Sequence, residues 1–124
     1  APQTPLNASF GGQISLLGFD TAADTLTLVW QAATDPPADY TVFVHFVDEQ
    51  GQLVAQADGP PAGGAYPTSL WSTGEIIPDA RSLPELPPGR ISVVVGLYNP
   101  DSGERLPLAG SPDGALRLLE LPQP

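Results

Sequence analysis

The residues able to do chemistry are few, and they are spread along the chain. The single histidine, His45, lies in a run of β-branched and aromatic residues, and the chain holds no cysteine. A site with nitrogen or sulfur ligands needs several such residues, so His45 alone cannot build a transition-metal centre. A thiol nucleophile is excluded, and no Gly-x-Ser-x-Gly elbow is present. We therefore expect His45 to be a partly buried histidine with a hydrogen-bonding partner.

Acidic side chains offer a second kind of chemistry. Asp58, Glu75 and Asp79 supply the hard oxygen atoms that Ca²⁺ prefers, but the Asp-x-Asp-x-Asp-Gly calcium loop is absent. A weakly held Ca²⁺ is thus the only cofactor these residues suggest, and turn capping is the simpler role for them. Two such carboxylates would also be the minimum for a glycosidase. A small β-sandwich offers no deep cleft in which to desolvate the pair, so we do not expect an enzyme.

Three aromatic residues form the third candidate group. Tyr66, Trp71 and Tyr98 could present flat faces on which the C–H groups of a sugar ring stack. The same side chains could instead pin a long segment to a sheet, because aromatic residues bury large apolar areas. The candidate ligand-binding or structural residues are therefore His45, Asp58, Tyr66, Trp71, Glu75, Asp79 and Tyr98. The sequence assigns no catalytic, cofactor-binding or metal-ligating residue.

Charge and hydropathy limit the partners. Four arginines, no lysine and fourteen acidic residues give a net charge of −10. Phosphate backbones and anionic membrane surfaces need clustered cations, so we expect no nucleic-acid partner and no electrostatic membrane binding. No apolar run approaches the roughly 20 residues that a membrane span requires, so we expect no direct membrane insertion of this chain.

Period-two alternation of apolar residues predicts the strands that must position these side chains. The clearest case is 25–32, and the runs 39–48 and 90–98 add two strands that are apolar on both faces. Sixteen prolines and thirteen glycines separate such runs and exclude long helices. The predicted core is Leu26, Leu28, Trp30, Val42, Val44, Phe46, Val93, Val95 and Leu97.

The turns predict how these strands are connected. We interpret residues 1–11 as an extended lead-in and residues 12–122 as one domain. The first strand is expected over 13–20, with Ile14 and Leu16 on one face, Leu17 and Phe19 on the other, and a bulge at Gly18. Acidic, glycine-containing turns at 48–51 and 101–103 predict two hairpins. The result is an all-β, antiparallel β-sandwich of immunoglobulin-like or Greek-key type, with about eight strands.

The Pro-rich residues 59–86, here called the crossover segment, are long for a loop in a compact domain. The outer faces of the two central strands carry Phe43 and Val94, and an exposed apolar patch of that kind requires a cover. We therefore predict that the crossover segment folds over this face, with Trp71 close to Phe43 or above Gly96. Glu75 and Asp79 would then lie near His45.

Short motifs along nearly the whole chain, from about Ile14 to the last strand, resemble one known domain. They are Asp39-Tyr-x-Val-Phe-Val-His45, Ala55-Gln-x-Asp58, Pro67-Thr68, Trp71-x-x-Gly74-Glu75, Asp79, Leu86-Pro, Pro88-Gly89, Val95-Gly-Leu-Tyr98 and Gly103-x-Arg105-Leu106. The pattern is similar to the C-terminal all-β domain of bacterial multi-pass membrane proteins of the protein O-mannosyltransferase type (glycosyltransferase family 39). The resemblance implies a domain outside the cytoplasm, following the membrane-embedded catalytic part. It supplies no catalytic or binding residues, and transferase activity is not inherited without the membrane part.

Together these observations favour a noncatalytic accessory or binding module at the bacterial cell surface. Its expected partner is a glycan, a protein or the membrane part of its parent protein, to which a membrane segment absent from this chain would tether it. The alternative is a small carbohydrate-active hydrolase that uses a pair of carboxylates.

Overall fold

The computed structural model describes residues 2–108, 111 and 113–123, which contain eight strands and two short 3₁₀ helices. None of the helices described is long and apolar enough to cross a membrane. The helices are Pro61–Gly64 and Thr68–Leu70. The strands are β1 (Thr4–Phe10), β2 (Ile14–Thr21), β3 (Thr25–Ala32), β4 (Thr41–Val47), β5 (Leu53–Gln56), β6 (Ile76–Ser82), β7 (Gly89–Tyr98) and β8 (Leu116–Gln123).

The strands form two four-stranded antiparallel sheets, in the orders β1-β2-β3-β6 and β5-β4-β7-β8. The predicted antiparallel β-sandwich is therefore confirmed. In β3, buried and partly exposed residues alternate as the apolar pattern requires. All nine predicted core residues are buried, and they meet between the sheets. Trp30 packs edge to face against Phe10, with ring centroids 5.9 Å apart.

The prediction of an extended lead-in over residues 1–11 is wrong for most of that stretch. Residues Thr4–Phe10 form β1 and pair with β2 at the edge of the first sheet. Leu6, Ala8 and Phe10 recur at period two, and all three pack on the core. Three apolar residues among polar ones are a weak signal on their own, and pairing with β2 makes the strand stable.

The bulge predicted at Gly18 is present, because the register of β2 against β3 shifts between Leu16 and Gly18. The extra residue reverses the alternation of side chains beyond it. Phe19 is consequently buried on the same side as Ile14 and Leu16, while Leu17 is only partly buried. The predicted placement of Phe19 on the face of Leu17 is wrong for this reason.

Of the two predicted hairpins, only the first has the expected return strand. Asp48 accepts hydrogen bonds from the backbone N–H groups of Gln50 and Gln52, and the chain returns as β5. After Gly103, however, residues 104–108 make only isolated bridges to described residues, from Arg105 to Tyr98 and from Leu108 to Phe10 and Ser111. The long partner of β7 on that side is β8.

The crossover segment contains a strand that the apolar pattern did not reveal. Strand β6 pairs with β3 and turns Ile77 and Asp79 inward. A buried aspartate interrupts the hydrophobic pattern, and Pro78 is compatible with β6 because this strand lies at the edge of its sheet.

Candidate functional site

The structure divides the seven candidate residues among three places. His45, Asp58 and Tyr98 line a pocket on the outer face of the β5-β4-β7-β8 sheet. Tyr66, Trp71 and Glu75 contact one another within the crossover segment. Asp79 lies in β6 beside Arg81. The seven residues therefore do not form one cluster, and the first group is the one that lines this pocket.

That opening, here called the outer pocket, has a volume of about 240 Å³. This is below the usual size of a pocket for a drug-sized ligand, and it suits one small polar ring. Its walls carry a cation, a carboxylate, an imidazole and aromatic faces. The lining residues are Phe43, His45, Asp58, Tyr98, Gly103 and Arg105.

Strand pairing explains why these side chains meet. Phe43 and His45 are two residues apart in β4 and therefore project from the same face. In the antiparallel register, Phe43 lies opposite Gly96 and Thr41 lies opposite Tyr98 on β7. A Cβ atom on Gly96 would come within 2.3 Å of the Phe43 ring. The missing side chain at Gly96 thus makes the space that the Phe43 ring occupies.

Phe43 is covered from outside by Arg105, whose guanidinium carbon lies 4.4 Å from the ring centroid. A guanidinium over an aromatic face is held by a cation–π interaction. The same arginine donates a hydrogen bond to the carbonyl oxygen of Asp113 at 3.3 Å. The carbonyl oxygen of Gly114 also lies close over Gly96. Residues from the loop that follows β7 therefore provide the cover that this outer face requires.

His45 is held between an aromatic ring and a carboxylate. Its ring centroid is 4.9 Å from that of Phe43, and its Nε2 atom is 3.6 Å from Oδ2 of Asp58. The His45 and Asp58 side chains are 22% and 29% exposed, so ligand atoms can reach both. Asp58 Oδ1 accepts a hydrogen bond from the Val44 N–H at 2.9 Å, which fixes the carboxylate at the edge of the pocket. His45 is thus partly buried, as the sequence predicts, and its distance to Asp58 is that of an ion pair and exceeds hydrogen-bonding range.

Asp79 does not lie in the outer pocket. It is fully buried and forms an ion pair with Arg81, at 2.9 Å from Nη2 to Oδ2. Its oxygen atoms also accept hydrogen bonds from Trp30 Nε1 at 3.2 Å and from the Ala62 N–H at 3.0 Å. Arg81 donates further bonds to the carbonyl oxygens of Ala57 and Gly59. The pair is therefore engaged in joining β6 to the chain that follows β5.

The third group holds the crossover segment in place. Trp71 is only 2% exposed and belongs to the core cluster, and its Nε1 donates to the Tyr66 carbonyl oxygen at 2.9 Å. Tyr66 donates its hydroxyl to Glu75 at 2.7 Å, and the Ser72 N–H donates to the same carboxylate at 3.0 Å. These bonds, with that from Ser72 the stronger cause, lower the pKa of Glu75, and the carboxylate raises the pKa of Tyr66.

The prediction that the crossover segment covers Phe43 with Trp71 is therefore wrong. Trp71 packs with the residues between the sheets, in a cluster that does not include Phe43. Arg105 occupies the position over the ring instead. The prediction that Glu75 and Asp79 lie near His45 is wrong as well, since their polar contacts are made within and beside the crossover segment. A large apolar residue is drawn to the main core before a surface patch, because more apolar area is removed from water there.

Three of the residues that line the pocket were not selected as site residues, namely Phe43, Gly103 and Arg105. The pairing of Phe43 with a glycine on the neighbouring strand would have identified the ring as part of a recess. Arg105 stands out in a chain with only four cations. Neither signal can be used until the register of β4 against β7 is known.

The three acids that a Ca²⁺ site would need do not assemble. Asp58 contacts Val44 and His45, Glu75 contacts Tyr66 and Ser72, and Asp79 contacts Arg81. Among residues 2–108, 111 and 113–123, no group of three or more histidine, cysteine, aspartate or glutamate side chains is placed to hold a metal ion.

Comparisons with known proteins identified no relative of this chain. The chain has no significant match among protein-family models, among curated proteins or among solved structures.

Proposed function

We propose that this chain is a noncatalytic accessory module that binds a glycan through the outer pocket. The observation that carries the proposal is the convergence of His45, Asp58, Tyr98 and Arg105 around an opening of about 240 Å³. Sugar recognition needs hydrogen-bonding groups for hydroxyls and an apolar face for the ring. The outer pocket offers both within the space of one sugar unit.

Each lining residue has a chemical role in this proposal. The Asp58 carboxylate accepts hydrogen bonds from hydroxyl groups, and the Arg105 guanidinium donates them. Tyr98 is partly exposed at the end of β7, where its ring offers a stacking face. A protein partner is less well supported, because stable protein interfaces bury roughly 800 Å² on each side. The outer pocket alone is much smaller than such an interface.

The number of carboxylates in the outer pocket favours binding without catalysis. Hydrolysis of a glycoside uses two carboxyl groups that flank the scissile bond. Among the described residues that line the outer pocket, Asp58 is the only acid. The buried Asp79 is ion-paired with Arg81 and does not line this pocket. The hydrolase alternative therefore has no pair of carboxylates in this pocket.

The proposed setting follows from the sequence motifs. In this proposal the module belongs to a bacterial membrane protein of the protein O-mannosyltransferase type and lies outside the cytoplasm, tethered by a membrane segment of the parent protein. The net charge of −10 agrees with a module that does not bind anionic lipid or nucleic acid.

A glycan-array screen of the isolated chain, with and without Ca²⁺, tests the proposal. We expect retention of a defined set of glycans with no requirement for Ca²⁺, and loss of that binding in Tyr98→Ala. The control is Tyr66→Phe, which removes a hydroxyl outside the pocket and should leave binding unchanged. Two-dimensional NMR of the labelled protein should then show ligand-induced shifts at Phe43, His45 and Tyr98. Absence of glycan binding, or shifts confined to another face, would overturn the proposal.

A further inference from the structure

The four arginines of the chain differ in their partners. Arg81 pairs with the buried Asp79, and Arg90 and Arg117 both lie within 4 Å of Glu120. For Arg105, no carboxylate oxygen of the described residues lies within the 4 Å that define an ion pair. In a chain of net charge −10, a guanidinium without an ion-pair partner is an exception.

The surroundings of Arg105 hold its guanidinium in one orientation. The group stacks on the Phe43 ring at 4.4 Å, and one nitrogen donates to the carbonyl oxygen of Asp113. The Asp113 carboxylate is instead hydrogen-bonded to the hydroxyl of Ser111 and to the N–H of Ala115. These bonds, together with a weaker charge interaction with Arg105, lower the pKa of Asp113. Stacking restrains the arginine side chain before any ligand arrives, so little further conformational entropy is lost on binding. The remaining N–H groups are available to an acceptor in the outer pocket.

Asp58, the acid that lines the outer pocket, does not form an ion pair with Arg105. Asp58 lines the same opening as Arg105, but its oxygens are bonded to the Val44 N–H and face His45. The pocket thus presents a carboxylate and a separate guanidinium on its walls. A ligand with hydroxyl groups and one negative charge would complement both.

We infer that the ligand of the outer pocket is an acidic sugar, a hexuronic acid whose carboxylate is bound by Arg105. The planar fork of a guanidinium matches a planar carboxylate with two parallel hydrogen bonds. Asp58 then accepts hydrogen bonds from hydroxyl groups of the same ring, and a neutral sugar would offer the same hydroxyl groups. This inference rests on the proposed glycan-binding function and specifies its ligand class.

Titration calorimetry with simple glycosides tests the inference. The probes are methyl glucuronoside and methyl galacturonoside, each compared with its neutral parent, methyl glucoside or methyl galactoside. We expect one of the two acids to bind about 10-fold or more tightly than its parent, the ratio that one charge-assisted contact provides. Arg105→Gln should abolish this ratio. Arg117→Gln removes the same charge from an exposed site on β8 and should preserve it.

A second variant separates charge from geometry. Arg105→Lys keeps the positive charge but loses the planar fork, so we expect most of the preference to disappear although the net charge is unchanged. Unaltered urea midpoints would establish that each variant is folded. Equal binding of acid and neutral parent, or a preference that survives in Arg105→Gln, would overturn the inference and leave the proposed glycan binding intact. If neither the acids nor the neutral parents bind and the array is also blank, the proposed function itself fails.

Discussion

At the scale of single residues, the buried carboxylate of Asp79 carries the clearest energetic consequence. Its bonds to Arg81, Trp30 and Ala62 compensate a charge that is removed from water. Removing one partner of a buried pair leaves the other charge uncompensated. Asp79→Ala should therefore lower the free energy of unfolding by about 3–5 kcal/mol in urea titrations. Glu120→Ala removes a half-exposed acid and should cost no more than about 1 kcal/mol; equal losses for the two variants would contradict this reading.

Trp71 allows a second test at this scale. Because the indole is buried and bonded to Tyr66, Trp71→Ala should cost about 3–5 kcal/mol, as expected when a large core side chain is truncated. The neighbouring Leu70 is 61% exposed, and Leu70→Ala should change the free energy of unfolding by less than about 0.5 kcal/mol. Both values follow from urea midpoints. A Trp71 variant as stable as the Leu70 variant would mean that the indole is not part of the core.

At the scale of elements, Gly96 controls the packing of β7 against the ring of Phe43. An added methyl group would collide with that ring and with the carbonyl oxygen of Gly114, both at 2.3 Å. Gly96→Ala should therefore destabilise the fold by about 1–3 kcal/mol and displace the Phe43 ring. Ser92→Ala, on the same strand, serves as the control. The measurements are urea midpoints and the ring-current shifts of residues around Phe43, and an unmoved ring with unchanged stability would refute the prediction.

The crossover segment is held by acids whose charged form is favoured in the folded state. Hydrogen bonding from Thr73 lowers the pKa of Asp35, bonding from Ser69 lowers the pKa of Asp39, and Ser72 and Tyr66 lower that of Glu75. A carboxyl group with a lowered folded-state pKa contributes stability above its unfolded value, and this contribution is lost as the pH falls through the folded value. For Glu75, whose ordinary pKa is 4.5, the loss should therefore begin below about pH 4.5.

Glu75→Gln tests this contribution, because the amide keeps the shape of the side chain but cannot ionise. The wild-type protein should unfold at a higher urea concentration than the variant at pH 7 and pH 5. The difference should shrink as the pH falls below about 4.5, through the lowered folded-state pKa of Glu75. A difference that stays constant over the whole range would show that the charge of Glu75 does not stabilise the segment.

At the scale of the whole molecule, two irregular segments pack on the two sheets. One is the crossover segment, and the other is the loop that follows β7. The crossover segment inserts Trp71 into the core and bonds Thr68 to the backbone of Ala38 and Tyr40, just before β4. The segment after β7 covers the outer face with Arg105. The outer pocket is therefore built on a paired, central strand and roofed by a loop. A loop that borders a site on a rigid strand is a common arrangement in binding sites.

The amino-acid sequence by itself determined the class of fold and the composition of its core. The alternation in β3 and the long apolar runs of β4 and β7 are local information, and they favour packed sheets whatever the connections are. The tight turn at Asp48 is likewise local, because Asp48 bonds to backbone groups only two and four residues away. The weaker strands β1 and β6 were not evident, since their stability comes from pairing with neighbours and from the buried ion pair of Asp79 with Arg81.

Only the tertiary structure decided which polar residues share a site. His45 and Arg105 are far apart in sequence, and they meet because β4 pairs with β7 and the following loop folds back over Phe43. Trp71 could be assigned to a cover or to the core only after the volume between the sheets was known. A local pattern reports which face of an element is apolar, whereas the partner of that face depends on long-range packing that no single segment encodes.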